Sequence, residues 1–338
     1  MRSNHDEEQS ELANFAGIDV GAQQLHLVRR SNGVSSKPQA LANMPRERRE
    51  LAKKLAKVPN LIVCLEATGV YHQDLALALH DAGVRVMVLN PKVAHNFAKV
   101  LRRDSKTDSV DADTLAQYPE RMPFEPWARP STAALQLRAF SRRIEAVKDK
   151  KRAAKNQLHA LRFSPETPKS VLQDALKEIE QLEQRLVTLT KEARTVIASN
   201  PTLHGCYELL LSVKGIAQTS AIALLGELAM LPAGLTHKQW VKFAGLYPRH
   251  NDSGTSVHKQ PRLSKAGNLH LRKGLFMPAL SARTHDPHVQ AYFEHLVAAG
   301  KKPLQAICAV MRKLLHAIHG MFKNNQPFDN TRFYALPA

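Results

Sequence analysis

Four carboxylates stand where a metal site for phosphate chemistry could form. Asp19 closes the apolar run FAGIDV (15–20), and Glu66 follows the apolar core of a second run, LIVCLEATG (61–69). Asp108 and Asp111 lie three residues apart in KTDSVDADTLA, a spacing that puts both on one face of a helix. Converging acids repel, by about 4 kcal/mol for a pair at ~4 Å and an effective dielectric near 20, so a cluster of four calls for a divalent cation. Mg2+ takes hard oxygen ligands and serves phosphate chemistry, and a pair of such ions can assist both the attacking and the leaving oxygen. The bland use of any single acid is a solvated charge or a helix cap, and Asp108 also reads as a cap. Asp104 and Asp113 are neighbours that spacing alone does not eliminate, although Asp113 points off the face that Asp108 and Asp111 share.

A second constellation is FAGLYPRHNDSGTSVHKQPRLSKAGNLHLRKG, dense in serine, glycine and base. Ser253-Gly254 is a turn pair that would expose a hydroxyl, with Arg249, Lys259, Arg262, Lys265, Arg272 and Lys273 around it in sequence. A hydroxyl that attacks a phosphodiester needs a base or metal to activate it and cations to hold the phosphate. Composition alone reads this stretch as a phosphate-gripping loop, with Ser256 and Ser264 equal to Ser253 as candidates. Arg249, Lys265 and Arg272 are the expected phosphate contacts, against the alternative of ordinary solvated charge. Residues 138–162 hold nine Lys and Arg against two acids, and Arg142, Arg143, Lys151 and Arg152 there suit a helix that grips a nucleic-acid backbone.

The elements that must position these groups are legible in outline. Residues 13–118 alternate strand-like and helix-like patterns: FAGIDV, LHLVRR (25–30), LIVCLEATG, a helix from Tyr71 to Ala82 stopped by Gly83, then VRVMVLN (84–90) with Pro91 opening another helix. Ser31-Asn32-Gly33 is hairpin turn chemistry. PERMPFEPWARP, with prolines at 119, 123, 126 and 130, reads as a loop or domain joint. A long helical region follows, broken at Ser164–Pro168. Its second half carries Leu172, Ala175, Ile179, Leu182, Leu186, Leu189, Ala193 and Val196, a heptad seam for a helical hairpin or for a coiled coil between subunits. LLLSVKGIAQTSAIALLGEL (209–228) reads as a helix-hairpin-helix unit or a plain packed helix pair, and the rest to 338 as mostly helical.

The whole chain has 338 residues, 48 Lys and Arg against 30 Asp and Glu, and a formal charge of +18. That surplus self-repels without a polyanion, which favours nucleic acid. No apolar run approaches the ~20 residues of a spanning helix, and MRSNHDEEQSE reads as a flexible tail, neither a signal peptide nor a basic membrane anchor. Three scattered cysteines fit a reducing cytoplasm.

The motifs GIDVG, LEATGVY, the NP at 90–91, KTDSVDADTLA, SVKGIAQTSA, FAGLYPRHNDSGTSV, RLSKAGNLHLRKGLF and GKKPLQAICAVMRKLLHAI together resemble the DEDD transposases of bacterial insertion sequences, of the one-ten and eleven-eleven group. The resemblance covers residues 13–334. It implies an α/β RuvC-like (RNase H-type) domain over 13–130 after a tail at 1–12, a coiled-coil helical connector over 131–200, and a mainly α-helical transposase domain over 201–338. The family's acids map to Asp19, Glu66, Asp108 and Asp111, with Mg2+ as cofactor, and its nucleophilic serine to Ser253. The resemblance further implies that Ser253 of one subunit meets the acids of another, that dimers pair into a tetramer, and that a noncoding bridge RNA pairs with donor and target double-stranded DNA. The setting would be the bacterial cytoplasm, acting at the nucleoid. The alternative on the residues is a RuvC-like metal nuclease that cuts branched DNA by water attack.

Overall fold

The run that begins at Phe15 becomes the central strand of a mixed sheet. The computed structural model of the chain describes residues 14–67, 69, 71–101, 107–253 and 257–336, and for residues 250–253 and 257–261 it describes the backbone alone. Two units divide it, Met1–Arg129 and Pro130–Ala338.

In the first unit, β1 (Asn14–Val20), β2 (Gln24–Ser31), β3 (Val34–Ser35) and β4 (Gln39–Ala42) precede α1 (Pro45–Leu55). Then come β5 (Leu61–Glu66), α2 (Tyr71–Asp81), β6 (Arg85–Leu89), α3 (Pro91–Val100) and α4 (Asp108–Arg121). The strand order is β3-β2-β1-β5-β6, with β4 also pairing to β2. β1 runs antiparallel to β2 and parallel to β5, and β5 runs parallel to β6. The β2–β3 turn carries Asn32 at φ 50° and Gly33 at φ 76°, the two left-handed positions that a tight hairpin turn requires. Leu61 to Leu65 are all buried, the continuous apolar run of a parallel strand covered on both faces. Asn90 caps α3 by accepting from the Lys92 N–H at 2.9 Å, and Pro91 occupies the first turn. One boundary moves: α4 continues through Pro119 to Arg121, so the joint begins at Met122. A proline this close to the helix end forfeits little of the hydrogen-bond ladder.

In the second unit, α5 (Thr132–Arg162) and α6 (Lys169–Ala198) form a long hairpin. α7 (Pro201–Leu211), α8 (Gln218–Leu228) and α9 (His237–Ala244) follow, then β7 (Pro248–Ser253), β8 (Val257–Leu263), α10 (Leu269–His285), α11 (Pro287–Ala298), α12 (Pro303–Asn324) and α13 (Asn330–Phe333). Ile179 and Leu182 of the heptad seam bury against Val147, Ala154 and Leu158 of α5, flanked by Leu172, Ala175, Leu186 and Leu189. The seam is therefore used within one chain, in the hairpin. Ala193 and Ile197 at its far end join the main core with α7, α8, α10 and α12. Within the stretch that composition reads as a phosphate-gripping loop, the chain forms the antiparallel β7–β8 hairpin, whose polar strands show no alternation to announce them. No described helix is long and apolar enough to cross a membrane.

Candidate active site

The site is assembled by strand register and by one close helix contact. Ile18 of β1 pairs with Leu65 of the parallel β5, so Asp19 and Glu66 each stand one residue beyond that pair, at the same end of adjacent strands. Sheet ends of this kind are where α/β folds collect ligands. α4 delivers the other two acids, both in its first turn. Thr107 caps it by accepting from the Val110 N–H at 3.3 Å, which leaves Asp108 free of that duty. α4 lies on β1 at Gly17. A Cβ there would run into the main chain of Ala112 and Ala116 and stand 2.8 Å from the carbonyl carbon of Leu115. Buried Ala112 and Ala116 complete the contact with Val28 of β2. The glycine before Ile18 and the alanines after Asp111 are thus the reason the two acid pairs can approach.

Their electrostatics record the approach. The Asp19 carboxyl is held above the usual carboxylate range, first by burial and then by the charges of Asp108, Asp111 and Glu66. His26 acts in the opposite sense. His26 sits opposite Asp19 across the β1–β2 ladder, and its Nε2 lies 3.3 Å from Asp108 Oδ2. Nothing in the sequence singles His26 out, since only the strand register brings it to the acids. Asp113 faces away as its position implies: the Ser35 hydroxyl donates to its Oδ1 at 2.5 Å and Gln117 Nε2 to its Oδ2 at 2.8 Å. Asp104 lies outside the described residues.

The donor set suits a hard divalent cation, being four carboxylates of which one, Asp19, is raised by burial and then by the charges of the other three. Among the described residues, no three His, Cys, Asp or Glu side chains stand closely enough together to hold an ion as placed. The four acids are neighbours through their field rather than a closed coordination shell.

Ser253 ends β7, opposite Val257 of β8, so its backbone is at the hairpin's turn. Gly254 and Ser256 lie outside the described residues. Arg249 is exposed and pairs with Arg262 across the hairpin, before a register shift at Asn251. Lys265 is exposed with φ 54°, its N–H donating to the Gly245 carbonyl at 3.1 Å.

Several of the other cations have work within the fold. Arg142 donates from Nε and Nη2 to Glu227 at 2.8 and 3.1 Å, and Asn268 Nδ2 donates to the same carboxylate at 2.6 Å. Burial pushes the Glu227 carboxyl up, but these two donors outweigh it and hold the group below its ordinary range. Lys151 pairs with Glu183 at 2.7 Å, Arg152 with Asp149 at 3.0 Å, and Arg272 Nη1 donates to the Ala244 carbonyl at 2.8 Å. Arg143 is exposed. In the 209–228 segment, a Cβ on Gly215 (φ 100°) would stand 2.7 Å from Ala282 N and 2.8 Å from Pro278 O, so that turn is packed onto α10.

Comparison with known proteins gives a consistent result. A DEDD-type model of the IS110 group, described as a transposase, matches residues 16–161. A model described as a transposase of the IS116/IS110/IS902 family matches residues 207–294. The pilin gene-inverting proteins of Moraxella bovis and Moraxella lacunata are each 30% identical over 270 residues, covering 80% of this chain and 82% of theirs. An insertion element IS110 protein of Streptomyces coelicolor is 25% identical over 127 residues, covering 38% of this chain and 31% of its own. Among solved structures, T. thermophilus RuvC in complex with a Holliday junction substrate is similar at 17% identity with a TM-score of 0.23, covering 31% of this chain and 90% of that one.

Proposed function

The chain belongs to the IS110 family of transposases and is a DNA transposase and recombinase, and we propose that it cuts and rejoins strands with Ser253 as nucleophile beside a Mg2+ site of Asp19, Glu66, Asp108 and Asp111. The observation that carries this reading is the parallel register that sets Asp19 and Glu66 at the same end of adjacent strands, where burial first, and then the charges of Asp108, Asp111 and Glu66, hold the Asp19 carboxyl above its usual range. The strand order, three antiparallel and then two parallel, supports a RuvC-like (RNase H-type) first domain. When bound, Mg2+ would supply positive charge for the phosphate oxygens of the reacting strand.

The chain's own groups do the rest. The Ser253 Oγ forms a bond to a DNA phosphorus while the bond to the 3′ oxygen breaks. The serine proton ends on the released 3′-hydroxyl, and the 5′ end stays on the enzyme as a phosphodiester of serine. A 3′-hydroxyl of another strand then attacks the same phosphorus, restores a DNA phosphodiester and returns a proton to Oγ. No water is consumed and the bond count is unchanged. Arg249 and Lys265 would hold phosphate oxygens near the hairpin. The relatives' name, gene-inverting protein, supports rejoining rather than hydrolysis alone. On the family resemblance, Ser253 meets the acids of another subunit, dimers pair into a tetramer, and a bridge RNA selects donor and target by pairing, as guided nucleases divide that labour.

The test is a protein–DNA adduct that survives denaturation, formed by the full chain with its element DNA, its noncoding RNA and Mg2+. The adduct should vanish in Ser253→Ala and fall at least a hundredfold in Asp19→Ala. Cleavage that persists without adduct in Ser253→Ala would favour water attack at the acids instead.

A further inference from the structure

We propose that the cavity between the C-terminal half of α6 and α7 is a separate nucleic-acid site that receives one unpaired nucleotide. The cavity encloses about 300 Å3, at the lower end of the range for small-ligand sites. Its lining includes Lys191, Arg194 and Ile197 of α6 and His204, Tyr207 and Glu208 of α7. Tyr207 is 5% exposed and its ring belongs to the main core, yet its hydroxyl is buried without any hydrogen-bond partner. Buried hydroxyls are satisfied as a rule, so this one lacks a partner that the chain itself does not provide. Burial pushes the Tyr207 phenol up, and its nearest charged influences are Arg194 and Glu208, which line the same cavity. Both are exposed side chains on the cavity wall, so the wall beside the hydroxyl can rearrange to admit a guest.

The chemistry of the lining selects the guest. A bare phosphate would gain from Lys191 and Arg194 but would meet the Glu208 carboxylate and would leave buried Ile197 unused. A nucleotide uses all of them: an apolar face for the base against Ile197, donor and acceptor groups for its edge, and cations for its phosphate. The edge can pair with the Tyr207 hydroxyl, His204 and Glu208. In a duplex the base edges are already paired and stacked, so only a bulged, looped or extruded nucleotide can enter. The inference rests on the reading of this chain as a nucleic-acid-handling enzyme and adds where it distinguishes unpaired from paired strands.

The test compares four hairpins of equal length, RNA and DNA, each either fully paired or carrying one bulged nucleotide, bound to the full chain. Tyr207→Phe removes the hydroxyl alone and should melt at or above the wild-type temperature, since an unpaired buried group is lost. It should weaken binding of a bulged hairpin roughly three- to tenfold while leaving its paired counterpart unchanged. The sugar type that shows the loss identifies the strand that docks there. Arg194→Ala, on an exposed position, should weaken the same bulged hairpin selectively. Unchanged affinity of Tyr207→Phe for both bulged hairpins, or equal losses on bulged and paired, would overturn the cavity assignment and leave nucleic-acid handling intact. Failure of the wild-type chain to bind any of the four would overturn both.

Discussion

A carboxyl that is partly buried and set among like charges resists ionising, and Asp19 is where both pressures fall. Its folded pKa lies above its ordinary value of 3.8, so the folded state holds the proton more tightly than the unfolded chain does. The resulting cost is absent below the ordinary value, grows as pH rises from there towards the folded pKa, and is complete above it. Asp19→Asn should therefore raise the melting temperature of the metal-free chain at pH 7, by roughly 2–4 °C per kcal/mol relieved. The gain should disappear near pH 3 and should reverse when Mg2+ is added, because the wild type then gains a bound cation that the variant has lost. Thermal scans at two pH values, with Mg2+ and with chelator, read all three. His26 belongs to the same scale. It contacts Asp108, whose side chain remains 68% exposed. Groups that orient ligands in this way typically contribute 10–100-fold to metal affinity, so His26→Ala should weaken Mg2+ binding by that factor in calorimetric titration without unfolding the sheet. An unchanged affinity would leave His26 a bystander.

The elements explain which parts of this could be foreseen. β1, β5 and β6 announce themselves as apolar runs, the Asn32-Gly33 turn by its residue types, and the α5–α6 hairpin by its heptads. The four acids were legible because strand ends and a three-residue spacing are local signals. Three features were not local. His26 reaches the acids through cross-strand register, the β7–β8 hairpin carries no alternating pattern, and the close seating of α4 on β1 depends on a glycine ninety-odd residues upstream. That seating is the element on which the acid cluster depends. Gly17→Val would force branched carbon into the backbone of Ala112 and Ala116, which cannot yield as a flexible side chain would. Overpacking of a rigid contact costs about 1–3 kcal/mol or more, and here the expected response is displacement of α4. The variant should keep the far-ultraviolet signal of its helical second unit and lose Mg2+-dependent adduct formation. Full activity in Gly17→Val would show that the four acids need no such close approach.

At the scale of the whole molecule, the surplus of +18 is unevenly shared. Residues 1–129 carry 18 Lys and Arg against 16 Asp and Glu, whereas residues 130–338 carry 30 against 14. The unit with the acid cluster is close to neutral, at +2, and the serine-bearing unit holds the remaining +16. A metal site gains nothing from a strongly basic surround, which would compete with the cation, while a surface that grips phosphates needs one. Not every cation in the second unit is available for that purpose, since Arg142, Lys151, Arg152 and Arg272 hold carboxylates or a carbonyl of the chain itself. Arg143 and Arg249 are exposed, so they can release counterions from a backbone. For duplex DNA each phosphate neutralised contributes about 0.9 to the slope of log affinity against log salt. The double variant Arg143→Ala/Arg249→Ala should lower that slope by up to about 2, whereas Arg46→Ala/Arg49→Ala, also exposed and on α1 of the first unit, should leave it unchanged. Equal losses in the two variants would mean that the near-neutral unit grips the backbone as strongly as the basic one, and that net charge does not locate the nucleic acid on this chain.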